Sequence, residues 1–139
     1  MRERAPFGKL TVMKYAEVEQ PVIVVVDDDA GMRRALQRLL AAAGFRARVF
    51  PSAEALRESG CVLTARFLVI DMRLPGESGA DFYASLPSPK PPAVFITAYD
   101  EPASRRMAQR AGACAFLAKP FDGSALLDSF ASATWRNSA

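Results

Sequence analysis

The stretch VIVVVDDDAGMRRALQRLL, residues 22–40, decides the fold. Val22 to Val26 is apolar at every position, so both faces of the segment need cover, as in a central strand of a sheet flanked by helices. From Met32 the period changes. Met32, Ala35, Leu36, Leu39, Leu40 and Ala43 follow the i, i+3, i+4, i+7 spacing of a helix, with Arg33, Arg34, Gln37 and Arg38 on the opposite face and Gly44 as the stop. Three carboxylates, Asp27, Asp28 and Asp29, stand between strand and helix. Asp29 has the position of a helix N-cap and is left out of the candidate ligand set.

The same alternation runs through the rest of the chain. RARVF reads as a short second strand, and PSAEALRESG as a short helix capped by Ser52 and ended by Gly60. RFLVID is a third strand ending in Asp71. LPGESG follows as a turn, and Ser78 caps a third helix carrying Phe82, Tyr83 and Leu86. Pro87, Pro89, Pro91 and Pro92 hold the next connection extended before AVFIT, a fourth strand ending at Thr97. The fourth helix opens with Pro102 and ends at Gly112, CAFLAKP supplies a fifth strand ending at Lys119, and Asp122 caps a last helix that buries Leu126, Leu127 and Phe130. Strict alternation of five strands with five helices implies an α/β fold, a parallel sheet with helices on both faces.

Residues 1–20 mix charges without periodicity and read as a loosely ordered leader, closed by Pro21. One domain over residues 21–134 accounts for most of the 139 residues, half of which are hydrophobic. Residues 135–139 read as a short tail with no output domain. Eighteen basic against fifteen acidic residues give +3, but the basic residues are dispersed, so no direct DNA binding is expected. The two cysteines, Cys61 and Cys114, lack metal-ligand spacing and read as a helix-end residue and a core filler; with no signal peptide, the setting reads as cytoplasmic. No apolar run reaches bilayer length, so no membrane association is expected. Histidine is absent, which excludes Ser-His and Cys-His nucleophile pairs and a His-ligated zinc.

In an open parallel sheet the carboxyl ends of the strands converge on one edge, where ligands bind. Here that edge receives Asp27, Asp28, Asp71, Thr97 and Lys119. Carboxylates brought to about 4 Å repel by roughly 4 kcal/mol per pair at an effective dielectric of about 20, so they protonate or take up a cation. All-oxygen ligands favour Mg2+ or Mn2+, and Mg2+ commonly accepts a phosphate oxygen as a further ligand. Asp71 stands alone after its strand and suits the attacking group, whereas the adjacent Asp27 and Asp28 suit joint metal ligation. Lys119 supplies a compact positive charge and Thr97 a hydroxyl for phosphoryl oxygens.

VVVDDD, FLVIDMRLPGESG, VFITAYDE and GACAFLAKPF, in this order and spacing, resemble the receiver domain of bacterial two-component response regulators over about Val22 to Ala133. The resemblance implies a flavodoxin-like, doubly wound, five-stranded parallel sheet of order 2-1-3-4-5. It implies phosphorylation of Asp71 by a histidine kinase or histidine phosphotransfer protein, with Asp27, Asp28, Asp71 and the main-chain carbonyl of Arg73 holding the metal. Thr97 would then move toward the phosphoryl group, Lys119 would pair with it, and Phe116 on strand five would rotate inward. The Lys119–Pro120 peptide resembles the family's cis bond. Arg73 and Tyr99 flank the chemistry where the family varies side chains that admit or exclude water, and slow self-dephosphorylation is expected. Output would pass to an unknown downstream protein, or to a homodimer, through the surface of helix four, strand five and helix five. The Arg33, Arg34 and Arg38 face is either a solvated surface or a docking face for the phosphodonor.

Two other readings stand beside this one. The first is an Mg2+-dependent phosphohydrolase with Asp71 as nucleophile, although Arg73 stands where a second acid or base would be needed. The second is a receiver-shaped scaffold that does not use phosphate, against which the complete Asp, Thr and Lys set argues.

Overall fold

A computed structural model describes residues 21–138, with side chains described for residues 21–132; the expected leader, residues 1–20, lies outside the described residues. Five strands, β1 (Val22–Val26), β2 (Arg46–Phe50), β3 (Phe67–Asp71), β4 (Ala93–Thr97) and β5 (Ala115–Ala118), form one parallel sheet. Its order is β2-β1-β3-β4-β5, as the resemblance implied. The crossovers are helices α1 (Ala30–Ala42), α2 (Ala53–Ser59), α3 (Gly79–Ala84) and α4 (Pro102–Ala111), and α5 (Gly123–Ser138) closes the domain. A short 3-10 turn, Val62–Thr64, lies between α2 and β3.

Three of the four expected caps act as their chemistry predicts, while among the described residues the Asp122 side chain makes no hydrogen bond to the start of the last helix. Asp29 Oδ1 accepts from the N–H groups of Gly31 and Met32, Ser52 Oγ from Ala55, and Ser78 Oγ from Asp81, so α1, α2 and α3 each begin on a side-chain acceptor. Gly60 and Gly112 end α2 and α4 at φ values of 71° and 93°, a left-handed conformation that glycine adopts without steric cost.

Period-two alternation divides the core. Ile23, Val25, Phe67, Val69, Val94 and Ile96 pack on Leu36 and Leu40 of α1 and on Leu126 and Phe130 of α5. Val24, Val26, Leu68, Ile70 and Phe95 face the other way, onto Leu56, Phe82, Tyr83 and Ala108 of α2, α3 and α4. Each fully buried side chain of this size contributes roughly 1.5–3 kcal/mol. The Phe130 ring stacks on Phe67 at 4.6 Å between centroids and meets the edge of Phe45, which fixes α5 against β3.

Two features differ from the sequence reading. LPGESG is more than a turn: Arg73–Leu74 pairs antiparallel with Glu77–Ser78 around Gly76, whose φ is 84°. Arg57 of α2 braces this ladder with two hydrogen bonds to the Glu77 carboxylate, at 2.6 and 3.1 Å. The last helix also runs on through Ser138, across most of the segment read as a tail.

Candidate phosphoryl site at the carboxyl rim

Each pocket residue is delivered by the end of a strand. β1 ends at Val26 and places Asp27 in the interior, while the next residue, Asp28, emerges exposed. β3 carries Asp71 as its last, buried residue, and β4 ends in buried Thr97. Lys119 directly follows β5, its N–H donating to the Thr97 carbonyl at 2.7 Å, and the Lys119–Pro120 peptide is cis. One carboxylate oxygen from each of Asp27, Asp28 and Asp71 lies within 4.8 Å of the others.

The lysine bridges this group. Lys119 Nζ donates to Asp27 Oδ2 at 2.9 Å and to Asp71 Oδ2 at 3.4 Å. Burial lowers its pKa, but the hydrogen bond to Asp27 and the charges of Asp71 and Asp27 outweigh that and hold it above the ordinary lysine value. Asp27 Oδ1 accepts from the Asp29 N–H at 2.9 Å, so both carboxylate oxygens of Asp27 have donors. Asp71 Oδ1 accepts from the Arg73 N–H at 3.1 Å. Burial, reinforced by the Asp27 charge, pushes the Asp71 pKa up to about 6, against the pull of the Arg73 amide and of Lys119. An acid destabilised in its charged form, beside two more carboxylates and with no histidine or cysteine among the donors, fits a hard divalent cation.

Above Asp71 the backbone is tightly apposed. Gly79 N–H donates to the Met72 carbonyl at 2.8 Å, and a Cβ on Gly79 would collide with the Asp71 carbonyl oxygen and with Ile70 Cγ2. Thr97 Oγ1 both accepts from the Tyr99 N–H and donates to the Tyr99 carbonyl, each at 3.1 Å, so its hydroxyl is turned onto the main chain.

The residues read as flanking the chemistry meet each other: the Arg73 guanidinium lies over the exposed Tyr99 ring, 4.2 Å from its centroid. Both stand two residues past a pocket residue on adjacent strands, and that shared offset was the signal for the contact. Half-buried Phe116 pairs in register with Phe95, and Arg105 of α4 lies 4.8 Å over its ring while forming two hydrogen bonds to Asp100. Periodicity carries no signal for Arg105. Arg33 departs from the expected outer face: its Nη1 donates to the Asp27 carbonyl at 2.8 Å, while Arg34 and Arg38 are exposed.

This rim defines a class: doubly wound α/β proteins whose strand ends gather a cluster of carboxylates beside a lysine. The model of the response regulator receiver domain matches residues 23–131, and the chain belongs to that family. Membership gives it the phosphoacceptor type of role in two-component signalling. Nodulation protein W of Bradyrhizobium diazoefficiens is 36% identical over 118 residues, covering 84% of this chain and 52% of that protein. The chain thus spans about half the length of this relative. The BeF3-activated DrrB receiver domain superposes with a TM-score of 0.71 at 25% identity, covering 78% of this chain and 92% of that one. A Burkholderia pseudomallei response regulator, solved with a phosphorylated aspartic acid, calcium ion and citrate, shares the fold with a TM-score of 0.73 at 24% identity, covering 86% and 73% of the two chains. Among the described residues, no helix is long and apolar enough to cross a membrane.

Proposed function

We propose that Asp71 is the phosphoacceptor of a two-component or phosphorelay pathway, charged by a histidine kinase or histidine phosphotransfer protein. One observation carries the reading: a single lysine joins Asp71 to Asp27 in a cluster that also holds Asp28. In the reaction an Asp71 carboxylate oxygen attacks phosphorus, the P–N bond of the phosphohistidine breaks, and its electron pair returns to the imidazole nitrogen. Asp27, Asp28, Asp71 and the Arg73 carbonyl would hold Mg2+ (or Mn2+), directly or through water. Bound there, the ion supplies neutralisation of the charge on the transferring phosphoryl oxygens. Lys119 stabilises the same charge from the β5 side.

Phosphoryl transfer gives the Thr97 hydroxyl a stronger acceptor than the Tyr99 carbonyl. Thr97 then leaves the main chain, the space it vacates admits Phe116, and the change reaches the surface of α4, β5 and α5, where a downstream protein or a second copy of the chain reads it. The Arg73–Tyr99 pair covers the approach of water, so the phosphoaspartate is hydrolysed slowly. The chain acts as a signalling phosphoacceptor and not as a turnover enzyme.

Treatment with a small phosphodonor and Mg2+ is expected to add one phosphoryl group by mass spectrometry, and none to Asp71→Asn. A phosphoryl group on the variant, or none on the wild type, overturns the assignment. Sustained turnover of phosphate monoesters would favour the phosphohydrolase reading instead.

A further inference from the structure

We propose that Arg33 is a positioning residue for the acidic cluster, an assignment that rests on the metal-assisted reading above. Helical periodicity puts Arg33 on the outward side of α1, yet its half-buried guanidinium turns back and donates to the Asp27 main-chain carbonyl at 2.8 Å. Among the described residues it forms no ion pair. A charged donor next to three carboxylates therefore leaves their oxygens alone and grips the backbone instead.

The consequence is local and geometric. Asp27 is held at four points: its N–H donates to the Phe50 carbonyl, Oδ1 accepts from the Asp29 N–H, Oδ2 from Lys119 and the carbonyl from Arg33. That carbonyl shares a peptide plane with the Asp28 nitrogen, so fixing it fixes how the Asp27–Asp28 peptide is rotated and where the Asp28 side chain leaves the backbone. Asp28 is exposed, and among the described residues no hydrogen bond restrains its carboxylate. Its aim toward Asp71 is set by the main chain that Arg33 holds. Groups that orient ligands from behind typically change metal affinity about 10–100-fold when removed.

Isothermal titration of Mg2+ into the wild type, Arg33→Met and Arg33→Gln tests the assignment, with melting curves run on all three. Arg33→Met is expected to bind Mg2+ at least about ten-fold more weakly at nearly unchanged melting temperature. Arg33→Gln keeps an N–H donor for the carbonyl and is expected to recover most of the affinity. A purely structural role would not separate the two variants in affinity at matched stability. Unchanged or tighter binding by Arg33→Met overturns the assignment, as does an equal loss in both variants, which would make charge the operative property. Should Arg33→Met fail to fold, Arg33→Gln decides alone: affinity within about three-fold of wild type upholds the hydrogen-bond role, and a larger loss overturns it. Absence of Mg2+ binding by the wild type would overturn the metal reading itself, and the Arg33 role with it, whereas differences among the variants bear on Arg33 alone.

Discussion

The rim built by β1, β3 and β4 and the face built by α4 and β5 belong to one sheet but are packed in opposite ways. β3 and β4 are buried at every position, β1 at all but its first, and Asp27 is tied down through both carboxylate oxygens and its carbonyl. Among the ten residues of α4 only Ala108 is buried, and every residue of β5 is half-buried. Arg105, itself exposed, covers Phe116 from this side. The proposed chemistry sits where packing resists displacement, and the expected response sits where few buried contacts oppose it.

Removing the Asp71 charge tests the first region most severely. Asp71→Asn is expected to abolish phosphorylation altogether while adding stability in a pH-dependent way. The raised pKa means that the folded chain holds the Asp71 proton more tightly than the unfolded chain does. The stability that this confers is complete below the ordinary carboxylate range and is lost as pH rises through about 6. Without divalent cations, the variant should therefore gain on the wild type as pH rises through that value and show no gain below about pH 4. Chemical denaturation at several pH values measures this, and a pH-independent difference would refute the burial account of Asp71.

Packing substitutions sharpen the contrast. Ile70→Ala is expected to cost about 2–5 kcal/mol in urea denaturation, whereas the partly exposed Met107→Ala on α4 should change stability by less than about 0.5 kcal/mol. Gly79→Ala forces a methyl group against the Asp71 carbonyl and Ile70, with an expected cost of about 1–3 kcal/mol and slower phosphorylation. The smallest expected effect is that of Arg105→Ala: exposed pairs contribute under about 1 kcal/mol, so global stability should barely move. Amide exchange in α4 and β5 should nevertheless quicken while β1 and β3 stay protected. Equal acceleration in both regions would break the contrast.

Most of the architecture was legible because it rests on local rules. The switch from the all-apolar Val22–Val26 to the helical period after Met32 marks a buried strand and a crossover, and Asp29, Ser52 and Ser78 stand where helices need acceptors. Strand ends also told which polar residues would meet, since parallel strands point one way. Two things were hidden for a physical reason. Two-residue strands such as Arg73–Leu74 are too short to show a period. Long arginine side chains choose partners by reach, so Arg33 turns inward to the Asp27 carbonyl and Arg105 covers Phe116. The helix that crosses most of the expected tail at residues 135–139 was legible, since no Gly or Pro interrupts residues 124–138.

Lys119 meets Asp27 across 92 residues of sequence. On the ribosome, a nascent chain that already displays Asp27, Asp28 and Asp71 still lacks the cation that joins them. The acidic half of the site is translated long before its counter-charge, and the cluster is complete only with the last strand.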